Sequence, residues 1–196
     1  RYFWIRTMKP TFLSVLFISL ILSGCATITG SVTDKPIEAD PEGRTMGEVI
    51  DDKNLRTRLL VNLDKLDERY KDANVDIHVN AGIVLIVGQV PSAELIDNAT
   101  ALLKSDPQVK AIHNHLSTED NLTTGLKAND KWLAVKTRSR MFTTDYFPSS
   151  NIEIVVQKGV VYLMGRVSKD NATQAVQIAS EVNGVQKVVM VFQIIP

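Results

Sequence analysis

One cysteine in 196 residues excludes an internal disulfide framework, so the fold must rest on apolar burial alone. Charge of one sign is equally lacking. Lysine plus arginine and aspartate plus glutamate each number 22, which excludes the basic coat of a strong nucleic-acid binder. The N-terminal apolar run, Phe12 to Leu22, covers eleven positions, well short of the roughly 20 residues of a bilayer-spanning helix. There is no nucleophile elbow and no glycine-rich phosphate loop. Acidic pairs such as Asp51-Asp52, Asp67-Glu68 and Glu119-Asp120 read as solvated caps and loops. The expectation is a binding protein with no enzymatic activity, no cofactor and no small-molecule substrate.

What is present begins with the placement of that cysteine. In "MKPTFLSVLFISLILSGC" Lys9 supplies a positive start, the apolar run follows, and small Ser23 and Gly24 precede Cys25. Arg1 is no initiator, so translation is expected to begin at Met8. "LSGC" resembles the bacterial lipobox, which implies removal of residues 1–24 and acylation of Cys25. Ala26 stands where an aspartate would signal inner-membrane retention, so the resemblance implies an outer-membrane lipoprotein with its body facing the periplasm. The polar stretch from Thr27 to Gly47 reads as a flexible tether, about twenty residues able to reach on the order of 70 Å.

The rest of the chain repeats itself. "NVDIHVNAGIVLIVGQV" (74–90) aligns without a gap on "NIEIVVQKGVVYLMGRV" (151–167). In each, an alternating strand turns at a glycine, Gly82 or Gly159, into a second strand. Ser92 and Ser168 then open helical patterns, which end at Asp106-Pro107 and Asn183-Gly184 before third strands. Ahead of each hairpin lies another helix, with Leu55, Leu59 and Leu63 matching Leu133, Thr137 and Met141. The fold class is therefore α+β: two tandem αββαβ units, each a three-stranded sheet packed against two helices. Such a unit has a small core, and contact between the copies would add to it.

With Gly82, Gly88, Gly159, Gly165 and Gly184-Val185 in their places, this pattern resembles the BON domain; Pro107 departs from it where glycine is usual. The expected organisation is a signal segment at 1–24, a lipidated tether at 25–49, BON domains at 50–118 and 129–196, and a linker at 119–128. A lipobox followed by two such domains is similar to the DolP family, on "RTMGEVIDD" (44–52), "VGQVPSAEL" (87–95), "NDKW" (129–132) and "YLMGRV" (162–167). The resemblance implies anionic phospholipid binding and a role in envelope integrity.

The residues place that binding on the second copy. On a helical wheel with Leu133, Thr137 and Met141 inward, Trp132, Val135, Lys136 and Ser139 fall outside, flanked by Lys131, Arg138, Arg140 and Phe142. Asn54 and Asp64 stand at the Trp132 and Phe142 positions of the first copy. Residues 129–196 hold 8 basic and 5 acidic side chains, against 8 and 10 over residues 51–116. Aromatics beside cations suit an anionic headgroup layer. The alternative is an adaptor that uses the same helix to hold envelope proteins. His78, His113 and His115 read as exposed sheet residues rather than zinc ligands, because no carboxylate or thiolate is placed to complete a site.

If Cys25 is the acyl acceptor, Cys25→Ser abolishes the lipid-modified form. Mass spectrometry of the membrane-associated protein checks this, and an unmodified Cys25 in that fraction contradicts the assignment.

Overall fold

A computed structural model describes residues 40–196, and two similar units follow one another along the chain. The first comprises α1 (Met46–Leu66), the short α2 (Arg69–Asp72), β1 (Asn74–Asn80), β2 (Ile83–Gln89), α3 (Ala93–Ser105) and β3 (Ala111–Ser117). The second comprises α4 (Thr124–Phe142), a 3-10 turn (Ser149–Asn151), β4 (Glu153–Gln157), β5 (Val160–Ser168), α5 (Lys169–Ser180) and β6 (Lys187–Ile195). In each sheet the middle strand pairs antiparallel with the strand before it and parallel with the strand after it, in the orders β1-β2-β3 and β4-β5-β6. The helix between the parallel strands is the crossover that parallel pairing requires.

Two helices cover one face of each sheet. Leu55, Leu59 and Leu63 of α1 recur every fourth residue and pack with Ile77, Val84, Ile86, Leu95 and Leu103. Met141 of α4 joins Ile152, Val161, Leu163, Ala175 and Ile178 in the second unit. Burying one such aliphatic side chain contributes about 1.5–3 kcal/mol.

The hairpins are held by a pair of carboxylates. Asp52 accepts from the backbone N–H groups of Ala81 at 2.8 Å and Gly82 at 3.0 Å. Asp130 does the same to Lys158 at 2.8 Å and Gly159 at 2.9 Å. The turn residues have positive φ in both copies, 52° and 81° at Ala81 and Gly82, 53° and 72° at Lys158 and Gly159, as tight two-residue hairpins demand. Asp52 is thus no solvated cap: it is buried, with Arg44 as its ion partner at 2.9 Å. Farther along the second strands the paired chains come very close. A Cβ at Gly88 would lie 1.8 Å from the Asn74 carbonyl oxygen, and one at Gly165 2.4 Å from that of Asn151.

The other faces of the two sheets press on each other. Ile83, Leu85 and Val87 of the first unit share one buried layer with Val155, Tyr162, Met164 and Val191 of the second. This overturns the expectation that the histidines are exposed. His115 meets the Tyr162 ring edge-on, with centroids 4.8 Å apart. Burial, with His113 and Lys187 nearby, lowers its pKa. His78 is the bridge: its Nδ1 donates to Glu153 of the second unit at 3.0 Å, and its Nε2 lies 3.2 Å from Asp76. Burial works against the charged ring, but the two carboxylates overcome it and push its pKa up to about 9. Across the pair, burial would raise the Asp76 carboxyl, yet His78 and Arg56 hold it at about 2.

The stretch read as tether is folded from Asp40 onward. Thr45 and Glu48 form a reciprocal capping box that starts α1 at Met46. Before it, the chain straps across the second unit: Glu42 accepts from Ser168 N at 2.8 Å and from the Asn171 amide, and Arg166 donates to the Gly43 carbonyl and also grips Glu48 of α1 at 3.1 Å. The linker is likewise short, since Thr123 caps α4. Asn121 and Leu122 lace it to Asn74 and Gln89 of the first unit.

A protonated His78 stabilises the folded state fully below its ordinary pKa of 6.5, and the contribution is lost as pH rises through about 9. The melting temperature of wild type should therefore exceed that of His78→Gln most near pH 6, and least near pH 10. Thermal melts at those two pH values check this, and a difference independent of pH contradicts it.

Candidate functional site

Helix α4 is amphipathic in an uncommon sense. Its inward stripe of Asp130, Leu133, Thr137 and Met141 is buried. Thr137 satisfies its hydroxyl on the Leu133 carbonyl at 2.9 Å, so it packs as an apolar residue would. Its outward ridge is also apolar: Trp132 is 61 % exposed, Val135 57 % and Phe142 79 %. Ser139 lies on the same ridge and is exposed. A ring this open to water is not packed on the first unit or on the linker, and large exposed apolar side chains grouped on one helix mark an interaction surface.

Cations flank the ridge on both sides. Lys136 reaches the Asn183 carbonyl at 2.7 Å and Arg140 lies 3.6 Å from Glu181, both toward the end of α5. Arg138 turns the other way and donates to the Ile152 carbonyl at 3.3 Å. Lys131 is exposed. The eight residues of the face are therefore on one helix, though Lys136, Arg138 and Arg140 are partly engaged by the protein. Beyond the helix, Tyr146 is fully exposed with φ 57°, just past Phe142. Sequence reasoning missed it, because a tyrosine in a loop carries no periodic signal.

On α1 of the first unit, Asn54 and Asp64 occupy the matching positions and are exposed. The two units thus share a frame and differ in what their outer helices present. Among the described residues no three His, Cys, Asp or Glu side chains converge as a metal site would need, and no helix is long and apolar enough to cross a membrane. Cys25 lies outside the described residues.

Asp52, expected from the sequence to be a solvated cap, and Asp130, which the sequence reading passed over, are structural residues. The signal was there: each stands three residues before the first buried leucine of its copy, Leu55 or Leu133, an identity between repeats at a position facing inward.

Comparison with known proteins agrees with the repeat. The BON domain family model matches residues 51–120 and again 129–196. The outer membrane lipoprotein DolP of Haemophilus influenzae is 31% identical over 181 residues, covering 91% of this chain and 93% of that one. A 21 kDa hemolysin of Actinobacillus pleuropneumoniae is 27% identical, covering 76% of each. Osmotically-inducible protein Y of Escherichia coli is 23% identical over 92% of this chain and 93% of its own length. The chain belongs to the BON-domain family, with two copies in tandem, and within it to the group of lipoproteins that includes DolP.

Proposed function

We propose that this protein is an outer-membrane lipoprotein, anchored through Cys25 and facing the periplasm, that binds anionic phospholipid through α4 and so supports envelope integrity. It acts as a binding module, not an enzyme. The observation that carries the reading is the exposed ridge of Trp132, Val135 and Phe142 with cations along both flanks. An aromatic ring rests at the headgroup level of a bilayer, while lysine and arginine meet the phosphates. Each basic residue near an anionic surface contributes about 1 kcal/mol, so the charges alone give weak binding and the ring must add insertion. The acyl anchor makes weak contact sufficient, because a tethered site works at roughly millimolar effective concentration.

One feature favours a second reading, an adaptor for envelope proteins. Strand β6 is an edge strand with no charged residue from Val188 to Pro196, and it exposes Met190 and Ile194. Such an edge can pair with a strand of another chain. Capture of a defined envelope protein in the absence of lipid, lost when Met190 is changed to lysine, would favour it.

The lipid reading is tested by flotation of the full mature chain carrying Cys25→Ser with vesicles of phosphatidylglycerol or phosphatidylcholine. Binding is expected to the anionic vesicles only, to weaken with salt, and to fall about tenfold or more in Trp132→Glu. Arg140→Glu should weaken it by several-fold. A folded Trp132→Glu that floats as wild type does would contradict the reading.

A further inference from the structure

Between the ridge of α4 and the chain that follows it lies a groove of about 600 Å³. Its walls are apolar: Val135 and Phe142 from the helix, Phe147 and Pro148 from the loop. Its polar groups are few and of one kind of chemistry. Arg138 lines it with one guanidinium nitrogen bonded to the Ile152 carbonyl, which leaves its other N–H groups to a ligand. Hydroxyls come from Ser139, Ser149 and Ser150, and no carboxylate is among the lining residues. A cationic fork with hydroxyls beside it suits a phosphodiester, and apolar walls continuing from it suit hydrocarbon. Adsorption to a charged surface would need no concavity here, only the ridge.

We propose that this groove seats one anionic phospholipid molecule, with its phosphate on Arg138 and an acyl chain along Val135, Phe142, Phe147 and Pro148. The inference deepens the reading of α4 as a lipid-binding face and rests on it, since Val135, Ser139 and Phe142 belong to both ridge and groove. Recognition of a whole lipid differs from surface adsorption in two ways: it saturates at one lipid per chain, and it does not require a bilayer.

The test uses the full mature chain with Cys25→Ser, titrated by calorimetry with dibutanoyl phosphatidylglycerol, whose chains are too short for micelles, and separately with glycerol 1-phosphate. The expected result is saturation at one lipid per chain, with glycerol 1-phosphate binding far more weakly. Ser149→Trp, which fills the groove, and Arg138→Gln, which removes the cation, should each weaken binding about tenfold or more, with circular dichroism confirming the fold. Failure to saturate, indifference to both substitutions, or equal binding of glycerol 1-phosphate would overturn the groove. Flotation of the same protein separates the two ideas. A chain that floats with phosphatidylglycerol vesicles but ignores the monomeric lipid loses the groove and keeps the surface. One that takes up the monomer but does not float keeps the groove and loses the surface.

Discussion

The contact between the two sheets, closed by Leu85 and Val87 on one side and Tyr162 and Met164 on the other, decides how the rest of the molecule is arranged. A three-stranded sheet has two faces, and a unit of this size has helices enough to cover one. Leaving the other in water would expose Ile83, Leu85 and Val87 together, roughly 1.5–3 kcal/mol for each side chain. Pressing the second faces together removes that cost for both copies at once. It also turns all the helices outward, so α4 presents its ridge to solvent. The His78 bridge to Glu153 adds a directed contact to an otherwise non-directional layer. The strap from Asp40 to Arg44 and the linker at Asn121 and Leu122 cross the same seam, each fastening the entry of one unit's first helix to the other unit.

That arrangement bears on the proposed function through the strap. Although it precedes the first unit in sequence, it is fixed to the second, through Glu42 at the start of α5 and Arg166 on β5. The chain coming from Cys25 therefore meets the folded body on the unit that carries α4. Fourteen residues lie between Cys25 and Asp40, a reach of about 50 Å if extended. If Cys25 carries the anchor and α4 binds lipid, as proposed, this entry point favours repeated contact of the second unit with the bilayer, while the first unit contributes a sheet face and a helix without aromatics.

The strands, the crossover helices and the two hairpins were legible because their signals are local: alternation in Val75 to Val79, glycines at the turns, serines ahead of α3 and α5. So was the outward placement of Trp132, because the matching leucines of the first copy showed which side of α4 turns in. Contact between the copies was expected, but that the second faces of the sheets make it was not read, although its sign was present. Ile83 to Val87 is an unbroken apolar run, as is Val160 to Met164, and a strand buried on both faces reads that way. An alternating strand beside it, Asp76 and His78 between valines, suggested water on the outer face, whereas those polar residues pair with one another and with Glu153. The buried role of Asp52 and Asp130 was hidden for a similar reason. A carboxylate in a helix's first turns looks solvated until the backbone it holds, 28 to 30 residues away, is brought to it.

Whether the α4 ridge enters an anionic bilayer, as proposed, can be reported by one residue. The sequence holds two tryptophans, Trp4 and Trp132, so past Cys25 Trp132 is the sole indole. Its emission can be followed in the Cys25→Ser mature chain mixed with phosphatidylglycerol vesicles, with and without brominated acyl chains. On that proposal, a blue shift on mixing and quenching by the brominated lipid are expected, with neither seen for phosphatidylcholine. Emission that stays at its aqueous position and is untouched by bromine, in a protein that nevertheless binds the anionic vesicles, would contradict it.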